Sequence, residues 1–352
     1  MTEKIDIKSK TTEELKELLV QWGEKPFRAG QIFGWLHEKR VSSWEEMTNV
    51  SKALRERMAQ DCELVSVTEI DRLESADGTK KFLFELSDGQ AIESVLMKYH
   101  HGNSVCISSQ AGCRMGCKFC ASTLGGLIRN LTASEMLEQI YAIERITGET
   151  VSNVVVMGTG EPMDNYDNFV RFVRILSAKE GKNISVRNIT VSTCGIIEGI
   201  KRLAEENLPL TLALSLHAPN DEIRKQLMPV AYKYKLEDVL AACDFYYEKS
   251  SRRITFEYSL VAGVNDSQEC ARELSARLRG KNCHVNLIPV NPIKERDYKK
   301  SRNDAIQNFK NILEKNRIYF TIRREMGSDI NAACGQLRRS HTTKENHKGE
   351  EE

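Results

Sequence analysis

Between residues 105 and 322 short apolar runs alternate with longer amphipathic ones, and this alternation limits the fold more than any other feature of the chain. The apolar runs at 105–109, 153–157, 188–192, 211–216, 253–260 and 284–290 read as strands. Segments at about 132–147, 167–179, 196–206, 235–248, 266–279 and 302–315 carry apolar residues at helical spacing. Six β/α repeats imply parallel strands joined by helical crossovers. A last apolar stretch, 318–322, reads as a closing strand. The units suit an α/β fold of the partial (β/α)6 TIM-type barrel kind better than a doubly wound sheet, although periodicity alone leaves both open. In either architecture ligands sit at the carboxyl ends of the strands. The residues that follow each strand are therefore the candidate site.

The first strand leads into Cys106-Ile-Ser-Ser-Gln-Ala-Gly-Cys113-Arg-Met-Gly-Cys117-Lys-Phe-Cys120, with Cys113, Cys117 and Cys120 at a CxxxCxxC spacing. Clustered thiolates favour Fe–S, zinc or Cu(I). Structural zinc takes a fourth protein ligand, and no Cys or His follows soon after Cys120. A [4Fe–4S] cluster takes one ligand per iron, so three cysteines leave one iron open to a small molecule. Three buried or oxidised thiols are the competing reading. Gly112, Gly116 and Phe119 suit a cluster loop better than a packed segment.

Later strand ends add weaker signals. Met157-Gly-Thr-Gly160-Glu161-Pro162 offers glycines that let backbone approach a ligand and an acceptor in Glu161. Ser192 and its neighbours place hydroxyls after the third strand. Ser215-Leu216-His217 ends the fourth, and period two puts Ser215 and His217 on one face. That pair suits ribose or carboxylate, with a satisfied core histidine equally open. Asn291 offers an amide after the sixth strand.

Outside the repeats, residues 1–60 read as short helices that begin at Thr11-Thr12-Glu13-Glu14. They make an accessory module, either an RNA-holding one or a packing cap. Residues 61–98 read as a β-hairpin linker around Ser87-Asp-Gly89. Glu93 lies on its second strand, where the pattern alone points it to solvent. Residues 99–330 form the barrel, and 331–352 a C-terminal segment with Cys334 among small residues and a polar tail. The run 294–302 carries five basic residues against two acidic ones. It reads as a solvated loop or as a phosphate-contacting one beside the barrel mouth.

Lys+Arg 51 against Asp+Glu 50 leaves a net charge of +1. Any nucleic-acid surface must therefore be a local patch. Ten cysteines and a charged N-terminus, MTEKIDIKSK, argue for a reducing, cytoplasmic setting. No apolar run approaches the ~20 residues that a membrane-spanning helix needs.

Taken together, Gln110 through Cys120, Arg129-Asn-Leu131, Met157 through Pro162, Ser215-Leu-His217, His284-Val-Asn-Leu287 and Ala333-Cys-Gly-Gln336 resemble the RlmN/Cfr family of radical S-adenosylmethionine (SAM) RNA methyltransferases, across nearly the whole chain. Pro162 after Glu161 is similar to the RlmN branch, which methylates carbon 2 of adenine in 23S rRNA and in tRNA. The Cfr branch, which methylates carbon 8, typically has Ala there. Thr159 departs from the commoner Met.

The resemblance implies a [4Fe–4S] cluster on Cys113, Cys117 and Cys120. It implies a SAM site lined by Gly160, Glu161, Ser192, Ser215, Leu216, His217 and Asn291, and two SAM molecules per turnover. It further implies that Cys334 is methylated by the first SAM. A 5′-deoxyadenosyl radical from the second then takes a hydrogen from that methyl group, and the carbon adds to adenine. Cys106 releases the product by forming a disulfide with Cys334, and Glu93 is the base. The implied partners are 23S rRNA, tRNA and an electron donor such as flavodoxin or ferredoxin. A monomer is expected, with no membrane.

Overall fold

In the computed structural model, which describes residues 4–100, 102–290, 297–323 and 328–330, the chain opens with a helical module closed by one short strand pair. β1 (Ile5–Asp6) pairs in parallel with β2 (Cys62–Glu63). Between them lie α1 (Thr12–Gln21), α2 (Arg28–Phe33) and α3 (Lys52–Asp61). Thr11 caps α1 reciprocally: its hydroxyl accepts the Glu14 N–H, and the Glu14 carboxylate accepts the Thr11 N–H.

The apolar stripe of these helices, with Leu15, Leu19, Ile32, Phe33 and Leu36, belongs to the same continuous core as the repeats that follow. At the seam Lys8 is fully buried and donates to the Glu138 carboxylate at 2.6 Å and the Val65 carbonyl at 2.7 Å. Arg145 holds the other Glu138 oxygen. Burial pushes the Lys8 pKa down, against the pull of Glu138. Removing Lys8 leaves one buried Glu138 oxygen and the Val65 carbonyl without a donor. Lys8→Met should therefore cost about 3–5 kcal/mol, read as a lower urea midpoint. An unchanged midpoint would mean that the seam contributes nothing to folding. Deleting residues 1–60 would open the core rather than trim an appendage, so point substitutions are the sounder probe of this module.

β3 (Thr68–Glu74), β4 (Lys80–Glu85), β5 (Ala91–Tyr99) and β6 (Gly102–Ile107) form an antiparallel meander. The hairpin read as a linker thus extends the main sheet, because β5 turns directly into β6. β3 escaped the sequence reading because Thr68-Glu-Ile-Asp-Arg-Leu-Glu74 is mostly charged. It is the edge strand, and charge there discourages pairing with another chain. β7 (Gln110–Gly112) and β8 (Leu127–Asn130) make a small ribbon that brackets the cysteine loop.

From β6 the sheet continues in parallel through β9 (Val151–Val156), β10 (Ile189–Thr193), β11 (Thr211–Ser215), β12 (Ile254–Leu260), β13 (Cys283–Pro289) and β14 (Phe320–Ile322). Among the described residues the order β3-β4-β5-β6-β9-β10-β11-β12-β13-β14 leaves the barrel open. The crossovers are α4 (Ala133–Thr147), α5 (Tyr166–Leu176), α6 (Ile197–Glu205), α7 (Asp221–Leu227), α8 (Leu236–Ser250) and α9 (Gln268–Leu278), and α10 (Asn303–Lys315) precedes β14. α7 is an extra turn of helix that the periodicity did not disclose.

Period two sorts the sheet into two faces. Val105, Val154, Val191, Leu212, Phe256 and Val285 belong to the main apolar core. The registers carry the opposite face from strand to strand: Lys81–Val95–Cys106–Val155–Thr190–Thr211, and nearer the carboxyl ends Ser215–Glu257–Asn286–Thr321. That face is rich in polar side chains, as a ligand-bearing interior requires.

Candidate active site

The cysteine loop is held on both sides. The Cys113 N–H donates to the Gly126 carbonyl at 2.8 Å, and the Lys118 N–H to the Leu227 carbonyl at 2.9 Å. The Thr123 hydroxyl donates to the Cys120 carbonyl at 2.9 Å. Gly112, at φ +81°, admits no side chain, since a Cβ would lie 2.1 Å from the Gly126 oxygen. Cys113 and Cys117 are buried and Cys120 is partly exposed. Burial pushes the Cys113 thiol up to about 12 and Cys117 well above its ordinary value, and the charge of the neighbouring cysteines adds to both shifts. Two buried thiols kept neutral beside a third sulfur call for a cation among them. Among the described residues no group of three His, Cys, Asp or Glu side chains is arranged for a single ion. A [4Fe–4S] cluster, in which three irons each take one thiolate and the fourth stays open, fits the three sulfurs.

The GxGE turn is laced to that loop. Glycines 158 and 160, read as letting backbone approach a ligand, also admit the end of β6 and the start of β7. A Cβ on Gly158 would lie 2.7 Å from the Ile107 oxygen, and one on Gly160, at φ +111°, 2.7 Å from the Gln110 nitrogen. Gln110 is the buried hub. Its amide donates to Asn130 and Asp164 and its oxygen accepts the Glu161 N–H at 2.8 Å. The Glu161 carboxylate is itself a brace, accepting the Met163 N–H at 3.0 Å and the Cys194 N–H at 2.7 Å. Burial raises its pKa, opposed by those backbone donors. Gly160→Ala should destabilise the fold by about 1–3 kcal/mol through backbone strain and lower iron uptake in parallel. Wild-type stability in that variant would contradict the close approach.

At the next strand ends, the Ser192 and Ser215 hydroxyls lie 3.3 Å apart. Leu216 is buried, and its N–H and that of His217 both donate to the Glu257 carbonyl. His217 stands at φ +54°, so the alternation that would place it beside Ser215 stops at the end of β11. Its Nδ1 accepts the Ser259 N–H at 2.9 Å, which puts the neutral ring's proton on Nε2. Burial holds its pKa down to about 3. Its ring meets Phe119 edge-on, with centroids 4.7 Å apart, so the cysteine loop reaches the end of β11. Glu257, which the sequence did not single out, is buried on the polar face. It accepts from the Asn286 amide at 2.9 Å, and burial raises its pKa.

Cys106 and Glu93 share one face. Cys106 pairs with Val95, and Glu93 lies two residues before Val95, which makes Glu93 and Cys106 diagonal neighbours across adjacent strands. Glu93 does not point to solvent: it is 3% exposed and ion-paired at 3.1 Å with the fully buried Lys81. The reason is that both faces of β5 are covered, one by the apolar core and the other by Val95, Met97, Cys106 and Met157. Asn291 and Cys334 lie outside the described residues, as do 294–296 of the basic loop. The rest of that loop, 297–302, touches the Gln226 carbonyl through Tyr298 and pairs Lys300 with Val261.

Comparison with known proteins agrees with this geometry. Residues 107–274 match the Radical SAM superfamily model, and residues 5–64 match the Ribosomal RNA large subunit methyltransferase N-terminal domain. A radical SAM methyltransferase from Sphaerobacter thermophilus superposes with a TM-score of 0.90 at 44% identity, covering 94% of this chain and 98% of that one. Fold and cysteine loop thus define a radical SAM enzyme, a class that works with SAM and a [4Fe–4S] cluster. A protein of Lachnoclostridium phytofermentans named "Probable dual-specificity RNA methyltransferase RlmN" is 68% identical, over 98% of this chain and 97% of its own. Its namesake in Lachnospira eligens is 60% identical over 96% of each. The chain belongs to the RlmN family of dual-specificity RNA methyltransferases. Among the described residues no helix is long and apolar enough to cross a membrane.

Proposed function

We propose that this protein methylates carbon 2 of adenine in 23S rRNA and in tRNA, and that the methyl group travels on Cys334. The observation that carries this reading is that Cys106 and the buried Glu93–Lys81 ion pair lie on one polar sheet face, on the strands that lead into the cysteine loop. Neither redox sensing nor simple RNA binding needs such a group.

Cys113, Cys117 and Cys120 would hold the cluster, and Gly160, Glu161, Ser192, Ser215, Leu216, His217 and Asn291 would line the SAM site. When bound, cluster and SAM supply the radical that activates the carried methyl group. The Cys334 thiolate first displaces a methyl from one SAM, so a sulfur–carbon bond forms and S-adenosylhomocysteine leaves. Once the carried carbon is bonded to the adenine and the adduct has returned one electron to the cluster, Glu93 takes the proton from carbon 2. The Cys106 thiolate then attacks the Cys334 sulfur and a disulfide forms; the electron pair of the broken sulfur–carbon bond passes into the adenine ring, and the methylene carbon takes a proton to give methylated RNA. The C-terminal segment is anchored at residue 329 on the turn between β3 and β4. The Ser75 hydroxyl and the Ala76 N–H, in the turn just before Lys80 and Lys81, both donate to the Asp329 carboxylate, at 2.5 and 3.1 Å. Cys334 lies five residues further on, a reach of up to roughly 17 Å.

The domain roles follow: residues 1–60 hold RNA, 61–98 bring Glu93 to the barrel, 99–330 do the radical chemistry and 331–352 carry the methyl group. The helical module presents cations over aromatic rings, Arg57 on Trp22 and Lys39 on Trp35, with Phe27 exposed nearby. Such pairs suit phosphate contact and base stacking. Lys39→Gln and Arg57→Gln should each weaken RNA binding and lower the slope of log K against log salt by about one. An unchanged slope in both would make the module a packing cap. The protein works as a cytoplasmic monomer with flavodoxin or ferredoxin as donor. The testing experiment is anaerobic turnover with SAM, a reductant and RNA. Release of 5′-deoxyadenosine together with 2-methyladenosine is the expected result, and RNA binding with neither product would indicate a non-catalytic Fe–S protein.

A further inference from the structure

Arg224, on α7, is the largest fully buried side chain of the described residues. Its Nη2 donates to the Cys194 carbonyl at 2.6 Å, but Nε and Nη1 have no hydrogen-bond partner among the described residues. It makes no salt bridge among them either. A buried charge without a counter-ion costs several kcal/mol, so a guanidinium left in this state implies that an anion belongs beside it. The surroundings point to one. The cysteine loop is docked on the same helix, with the Lys118 N–H on the Leu227 carbonyl, and Gly116 lies against Pro229. Cys117, Cys194 and Leu227 share one small apolar cluster with Phe119 and Cys120 at its rim. The guanidinium also lies close to the turn after β10, since a Cβ on Gly195 would stand 3.2 Å from its Nη2.

We propose that Arg224 is the buried counter-cation of the cysteine-held cluster, a positioning residue whose unpartnered N–H groups face the negative charge that arrives with the three thiolates. The inference rests on the reading that Cys113, Cys117 and Cys120 hold that cluster. Three thiolates on an oxidised cluster leave a net negative charge, and one-electron reduction adds another. A desolvated cation nearby therefore stabilises the reduced form more, since cluster potentials follow net charge and hydrogen bonds to sulfur. Arg224 thus helps to make the cluster reducible by a physiological donor.

The test compares anaerobically reconstituted full-length Arg224→Met and Arg224→Lys proteins with the parent. Iron per chain, the cluster's midpoint potential by EPR-monitored titration, and the thermal midpoint of the metal-free protein are measured. Arg224→Met should keep a folded metal-free form and hold a cluster that is harder to reduce. The expected change is about tenfold in the oxidised-to-reduced ratio at fixed potential, ~59 mV for one electron. Arg224→Lys, which keeps the charge, should recover most of that shift. Loss of iron in Arg224→Met alone, with its metal-free midpoint intact and iron retained in Arg224→Lys, also supports the proposal. A parental potential in Arg224→Met overturns it. So does a metal-free form destabilised in both variants, which would make Arg224 a structural brace for the Cys194 carbonyl. A shift seen only when SAM is present overturns it as well, assigning the guanidinium to the SAM carboxylate. A parent chain that takes up no iron would instead sink the cluster reading itself.

Discussion

Cys106→Ala protein should accept a methyl group on Cys334 and then stop, with RNA covalently attached. Cys106 is almost fully buried on the polar sheet face, where an alanine leaves β6 and its pairing with Val95 intact. The variant should therefore fold, bind SAM and form the adduct, lacking only the thiolate that breaks it. Turnover should fall to background while a denaturing gel shows labelled RNA shifted by the mass of the protein. Cys334→Ala should give the opposite pattern, with no methylated protein and no shifted band. Glu93→Gln should slow the same late stage by roughly 10²–10⁴-fold, the usual contribution of a general base. Because Gln also leaves the buried Lys81 without its carboxylate, a stability measurement must accompany that variant. If Cys106→Ala turns over normally and traps no RNA, its resolving role is wrong.

Replacing any one of Cys113, Cys117 and Cys120 with Ala should abolish iron binding and all turnover. On the proposed reading each would contribute one of three ligands, and a cluster left with two thiolates lacks a protein ligand on two irons. The fold should survive. The loop is fastened by the backbone bonds of Cys113 to Gly126 and of Lys118 to Leu227, which the substitutions leave in place. Metal-free melting points should thus stay near the parent while iron content drops to the blank. Four irons per chain retained in all three single variants would sink the assignment.

Much of this was legible in the sequence because it is local. The β/α alternation placed β6 and β9 to β13 within about three residues, though not the ribbon of β7 and β8, and Thr11 with Glu14 disclosed the cap of α1. The CxxxCxxC spacing needs no tertiary information to suggest a cluster. What stayed hidden depends on which strands meet. Glu93 read as solvent-facing because a hairpin in isolation has an exposed face; β5 lies inside a ten-stranded sheet and pairs its carboxylate with Lys81. The glycines of the GxGE turn read as ligand contacts, and nothing in the sequence showed that they also pack on Ile107 and Gln110, some fifty residues away in the chain. His217 broke the period-two rule through a left-handed backbone that no pattern announces. Arg224 looks like an ordinary helix-surface residue in Asp221-Glu-Ile-Arg-Lys, and only its burial marks it.

The most direct measurement is nucleoside mass spectrometry of 23S rRNA and tRNA from a strain lacking this protein, complemented with the parent chain or with Cys334→Ala. The account predicts that 2-methyladenosine disappears from both RNAs, returns in both with the parent, and returns in neither with Cys334→Ala. Unchanged 2-methyladenosine in the deletion strain, 8-methyladenosine on complementation, or full restoration by Cys334→Ala would contradict it.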